Sequence, residues 1–304
     1  MKNQANRKLI SNTVFLYLMT TSIQILNLLT VPYLSRVLGP TEYGQIGLAL
    51  GYMAYVQIIL DFGFTLYATK KISENKTDKC KIEYIITAVT FIKVILAVCL
   101  GVVFLLFLYI NVFDVTLMTI LQVYLLGYLI TALLPDFYYR GMENMKSIAL
   151  RTLIVRVLFT LLIFLCVRKK EDIMFVPVCF LVGSILAFII TAADIRWKKQ
   201  ITFRWPGRKY VMSMVRSAFP YFTSRFASTF YQALNVIIIG KIYGTAPEVG
   251  YYTSSDKCLS LVKMGSSPIA DSLYPYMLNH KNYRLIKRLL GFVMPIITVG
   301  VIII

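Results

Sequence analysis

Apolar runs of about 20 residues recur along the whole chain, separated by short clusters of charge, glycine and proline. Nine runs can be marked: Ser11 to Pro32, Tyr43 to Thr69, Tyr84 to Ile110, Val115 to Tyr138, Ser147 to Val167, Ile173 to Ile195, Ala218 to Gly240, Gly250 to Met277 and Leu289 onward. Each is long enough to cross the hydrocarbon core of a bilayer at helical rise. Open strands cannot satisfy their backbone groups in lipid, and the period-two alternation of a membrane barrel is absent. The pattern therefore predicts an all-α, polytopic membrane helix bundle.

The loops add an orientation. Of the 32 Lys and Arg residues, 22 fall in the N-terminal tail and after the even-numbered runs, against five (Arg36, Arg168, Lys169, Lys170 and Lys241) after the odd-numbered ones. Positive residues near helix ends stay in the cytoplasm, so the N-terminus is expected inside, in a bacterial inner membrane. Topology also accounts for most of the net charge of +18, which in a soluble chain would point to nucleic acid. A charged fraction of 15% against the roughly 25% of soluble domains leaves no room for that reading. The basic segment Arg196 to Arg216 holds both tryptophans, Trp197 and Trp205, which read as interfacial anchors. The five cysteines are scattered and odd in number, fitting neither a disulfide framework nor a zinc site, and read as small packing residues. The basic N-terminus lacks a small-residue cleavage site, so the first run is expected to remain as an anchor.

A short internal repeat divides the chain. Arg36-Val37-Leu38-Gly39, followed by Glu42-Tyr43-Gly44, parallels Lys241-Ile242-Tyr243-Gly244, followed by Glu248-Val249-Gly250. The offset is 205 up to the glycine and one more beyond it. Six runs separate the copies, so both have the same orientation, as in transporters whose halves are related by an axis along the membrane normal. The expected organisation is an N-terminal lobe over 1–195, a basic linker over 196–217 and the start of a C-terminal lobe over 218–304. The ninth run ends at Val301 to Ile304 without a polar flank, so the second lobe is expected to be incomplete in this sequence.

Charges inside apolar runs mark an interior or watery path, because lipid rejects them. Lys93, Arg225, Lys257 and Lys263 are the clearest cations; Asp61, Asp256 and Asp271 supply the opposite sign, and Arg156 lies near the end of the fifth run. Gly265 and Pro268 weaken the eighth run, which is expected to line a cavity. Four embedded cations against few anions predict an anionic passenger, with phosphate the natural candidate. Asn27 in the first run, and Gln232 and Asn235 in the seventh, are expected to add a polar lining, although hydroxyls and amides at such spacing also glue helices together. A single histidine, His280, and the absence of a nucleophile elbow or a phosphate loop argue against an enzyme and predict no cofactor and no metal.

Ser11-Asn12-Thr13, then Tyr33-Leu34-Ser35-Arg36-Val37-Leu38-Gly39-Pro40-Thr41-Glu42-Tyr43-Gly44, Asp61-Phe62-Gly63 and the segment Phe137 to Met145 resemble the Wzx-type polysaccharide repeat-unit flippases. These belong to the multidrug, oligosaccharidyl-lipid and polysaccharide (MOP) exporter superfamily. The resemblance implies two six-helix lobes around a cationic cavity, alternating access, and undecaprenyl-diphosphate-linked sugar as cargo. In that scheme the four cations attract the diphosphate, and Asp61 or Asp256 couples H+ or Na+. The alternatives are a drug or metabolite antiporter of the same superfamily, which calls for a more acidic lumen, and a membrane-embedded glycan polymerase or glycosyltransferase.

Overall fold

The computed structural model describes residues 21–110, 114–243 and 247–257. Every regular element among them is helical. Helix α1 covers residues 21–38, followed by α2 (Pro40–Asp61), α3 (Phe64–Glu74), α4 (Lys79–Ile110), α5 (Val115–Ala132), α6 (Asp136–Gly141), α7 (Met145–Cys166), α8 (Phe175–Ala193), α9 (Arg208–Tyr243) and α10 (residues 247–257). Five helical stretches are long and apolar enough to cross a membrane: Pro40–Glu74, Lys79–Ile110, Val115–Gly141, Met145–Cys166 and Lys170–Lys198. They match the second to sixth runs, and the chain is a multi-pass membrane protein. The basic ends of these stretches gather at one end of the bundle, called here the basic end.

Two runs that read as continuous are broken. The second divides at Phe62 and Gly63, both left-handed, with φ of 44° and 74°. Asp61 closes the break: its Oδ1 accepts the Thr65 amide at 3.3 Å and the Thr65 hydroxyl. The fourth divides over Leu133 to Pro135, where proline supplies no amide and forces its predecessor away from helix. Hydropathy averaged over a span does not register either break, since a single carboxylate, Asp61 or Asp136, is the only charge beside each. Gly63 is pressed against α9; a Cβ there would lie 2.6 Å from the Phe222 nitrogen and 2.9 Å from the Ala218 oxygen. Gly63→Ala combines that clash with an unfavourable φ, so a loss of about 2 kcal/mol or more is expected, read as a lower melting temperature of the purified protein.

The linker is more structured than a loop. Helix α9 begins at Arg208, ten residues before the expected span, and continues for 36 residues with Pro220 inside it. Ahead of it, an extended strap lies across α4. The buried Glu83 accepts the Thr202 amide at 3.0 Å and pairs with Arg204 Nε at 3.1 Å, while the Arg204 amide donates to Thr87 Oγ1 at 3.0 Å. Trp205 packs edge-on to Phe91 at 4.7 Å, and both tryptophans are well exposed, as anchors should be. Cys179 is buried as expected of a packing residue, but Cys80 and Cys99 are exposed.

The repeat closes on itself. Gly44 and Gly250, equivalent positions in the two copies, are in backbone contact: a Cβ on Gly44 would lie 2.8 Å from the Gly250 nitrogen, and one on Gly250 would lie 1.9 Å from the Pro40 oxygen. One turn on, Gly47 meets Thr253, again its own equivalent, with the absent Cβ 2.2 Å from Thr253 Oγ1. The two copies of the motif therefore meet where α2 packs against α10, at the end of the bundle opposite the basic one.

Candidate transport site

The two helix breaks lie beside each other, and α4 runs past both. Lys93, on α4, is 5% exposed, with its ammonium 5.7 Å from the centre of the Phe137 ring and in the field of Asp61 and Asp136, one carboxylate from each break. Asp61 also faces Arg225 of α9, Oδ2 to Nη1 3.6 Å. Asp136 accepts from Arg151 Nη2 at 2.6 Å, and Arg151 Nη1 donates to Thr191 at 2.9 Å. Charges thus alternate through Arg225, Asp61, Lys93, Asp136 and Arg151, drawn from five helices. Interrupted helices with polar groups at the break are the usual construction of transporter sites, because the break frees backbone polar groups where a cavity can use them.

A cavity of about 380 Å³ opens on this row, lined by Gln57, Asp61, Thr65, Lys93, Thr131, Asp136, Arg140, Arg225 and Thr229 among others. With Arg151 behind Asp136, four cations stand against two carboxylates. Arg140 Nε and Asp61 Oδ2 are buried without a hydrogen-bond partner, and 3.6 Å is too long for a hydrogen bond between Arg225 and Asp61. Arg140 holds unspent donor capacity and the walls an excess of positive charge, which an anion would satisfy, whereas the bare Asp61 oxygen is an acceptor that calls for a donor or a cation.

A second cavity, about 540 Å³, lies further from the basic end. Gln24, Asn27, Thr30, Thr152, Arg156 and Lys257 give its polar surface; Tyr43, Tyr124, Tyr128, Phe159 and Phe180 give aromatic faces. Arg156 donates to Asn27 Oδ1 and stacks 4.9 Å from the Phe159 ring. Among the described residues, no carboxylate lines this cavity. Tyr128 lines both cavities.

The expected single site is thus divided. Lys93, Arg225 and Asp61 line the first cavity; Lys257 and Asn27 line the second. Asp256 is exposed and lines neither, and Asn235 is half-buried and lines neither. Lys263, Gly265, Pro268 and Asp271 lie outside the described residues, as does the side chain of Gln232. Asp136, Arg140 and Arg151 did not stand out in the sequence, because they sit at the margin of a polar loop. The proline before Asp136 was the available signal.

The family model for polysaccharide biosynthesis proteins matches residues 9–280. The chain belongs to that family. Two curated relatives bearing the name O-antigen transporter are similar to it: one from Escherichia coli K12, 28% identical over 278 residues, and one from Shigella dysenteriae, 22% identical over 280. The alignments cover 87% and 91% of this chain but 63% and 69% of those proteins, so the chain spans about two thirds of their length. Among solved structures, a MOP superfamily transporter from Pyrococcus furiosus matches with a TM-score of 0.62 at 15% identity, over 84% of this chain and 63% of that one. A MATE protein in the bent conformation matches with a TM-score of 0.58 at 17% identity, over 87% and 62%. The family member described here therefore has the MOP fold, and the resemblance carried by the Arg36 to Gly44 motif is borne out.

Proposed function

We propose that this chain is a flippase, moving undecaprenyl-diphosphate-linked oligosaccharide units across the bacterial inner membrane by alternating access, with its basic end in the cytoplasm. The observation that carries the reading is the pair of cationic cavities stacked along the bundle of a family member whose relatives are named for O-antigen transport. In this reading Lys93, Arg140 and Arg225 receive the diphosphate. The second cavity, with aromatic faces beside amides and hydroxyls, suits sugar rings, which present apolar faces and polar edges. Lys257 and Arg156 then hold the diphosphate at a later stage of passage. Asp61 is the better candidate for coupling H+ or Na+, since it faces Arg225 across the first cavity, whereas the exposed Asp256 has no such position. The excess of cations speaks against an antiporter of cationic drugs. In this reading the contact of Gly44 with Gly250 joins the two lobes.

The test is translocation of a fluorescent polyprenyl-diphosphate-linked sugar in vesicles reconstituted with the chain. The expected result is a loss of outer-leaflet label to the inner leaflet well above that of empty vesicles. Label movement equal to that of empty vesicles would sink the proposal, and turnover of the lipid-linked sugar into longer glycan would favour the polymerase reading instead.

A further inference from the structure

Helix α9 carries two adjoining stripes of different character. Arg225 and Thr229 line the cationic cavity. Beside them, Phe219, Phe222, Phe226 and Phe230 follow one another with ring centres 6.1, 5.6 and 5.5 Å apart. The row spans 12 residues, about 16 Å from first to last at helical rise. Its far end rests on Tyr55, 5.7 Å from Phe230, and its near end stacks on Phe62, 5.0 Å from Phe222 and inclined by 14°. Phe219 and Phe230 are 52% and 43% exposed, so the row is an open surface and not core.

At Phe62 the row runs into a groove of about 460 Å³ between α4 and α9. Ile95 and Leu96 form one wall, and Val211, Met212 and Val215 the other. At its mouth, toward the basic end, stand Trp205 and Arg208; Arg208 has no ion pair among the described residues. Along the chain the groove lies next to the cationic cavity: Phe62 follows Asp61, and Ile92 precedes Lys93.

We infer that this groove and the phenylalanine row form the track for the hydrocarbon tail of a single-chain lipid diphosphate, whose headgroup lies against Lys93 and Arg225. The inference rests on the flippase reading for the identity of its ligand. Charge and shape agree with it, because an anionic head on an apolar tail is the ligand that suits a cationic cavity with an apolar groove beside it. The cations hold the head in a low-dielectric interior, while the rings give the tail continuous dispersion contact as it travels.

Trp205 allows a direct measurement. Trp197→Phe leaves Trp205 as the sole tryptophan, and a farnesyl diphosphate brominated at its tail end serves as quencher. Saturable quenching of Trp205, competed by unlabelled farnesyl diphosphate, is expected, with apparent affinity at least tenfold weaker when Ile95→Phe and Val215→Phe fill the groove. Quenching that grows without saturation, that brominated phosphatidylglycerol reproduces, or that the filled groove leaves unchanged would overturn the inference. Binding at equilibrium requires no translocation. Quenching without label movement in vesicles would therefore bring down the flippase reading alone, whereas wild-type movement by the filled variant without quenching would bring down the groove alone.

Discussion

Lys93→Met is expected to reduce translocation by roughly 100-fold or more while the protein still folds and inserts. Methionine keeps the length and apolar stem of lysine and removes only the ammonium. The two carboxylates it served then fare differently. Asp136 keeps the 2.6 Å contact with Arg151, but Asp61 keeps Thr65 as a neutral donor and, among the described residues, only Arg225 at 3.6 Å as a cation. Removing one partner of a buried charge pair costs about 2–5 kcal/mol, much of it from the charge left behind. Here that remainder is borne by Asp61, which draws Arg225 inward and occupies the donors an anionic headgroup would use. Lys93→Arg is expected to retain part of the rate, and Asp61→Asn added to Lys93→Met to recover part of it by removing the orphaned charge. The measurement is initial translocation rate per reconstituted protein. A wild-type rate in Lys93→Met would take this residue out of the transport path.

The second large effect is expected at the contact between α2 and α10. A Cβ on residue 250 meets the Pro40 carbonyl at 1.9 Å, and backbone cannot yield as a side chain can. Gly250→Ala must part the two helices, so a loss of about 3 kcal/mol is expected, the upper end of overpacking costs. The Gly47 and Thr253 pair offers a cleaner test, since each is the counterpart of the other in the repeat. Gly47→Thr alone is expected to destabilise strongly. Combined with Thr253→Gly, which moves the small residue to the other helix, most of the stability is expected to return. Melting temperatures of the four proteins form a double-mutant cycle. Additive losses in the double variant would mean that the two positions do not share one space.

What could be read from the sequence was set by the length scale of each signal. Apolar runs some 20 residues long located the helices now seen as α2 to α8, because burial in lipid is written into every residue of a span. A lone lysine in such a run, Lys93, is equally legible. The breaks at Phe62–Gly63 and Leu133–Pro135 are not, since each changes backbone direction within an apolar run, and only one glycine or proline with one neighbouring carboxylate, Asp61 or Asp136, records it. The division of the expected site into two cavities depends on which helices pack against which. No spacing along the chain encodes that, so Lys257 went with Arg156 and Asn27 while Arg225 went with Asp61. The repeat was visible as an offset of 205 or 206, but its two copies touching each other is a fact of three dimensions.

The strap over α4 has a mechanical consequence. Glu83 and Thr87 fasten residues 202 and 204 to the first group of helices, and α9 starts at Arg208, so only Trp205, Pro206 and Gly207 lie between the pin and the rod. Gly207 has φ of 90° and nothing within 4 Å of its missing Cβ. Such a joint has almost no slack in length but free room to swivel. Travel of α9 relative to α4 would therefore be rotation about a fulcrum, with displacement growing in proportion to distance from residue 207. The rings farthest along the row would sweep the widest arc, and Arg208 would stay almost still.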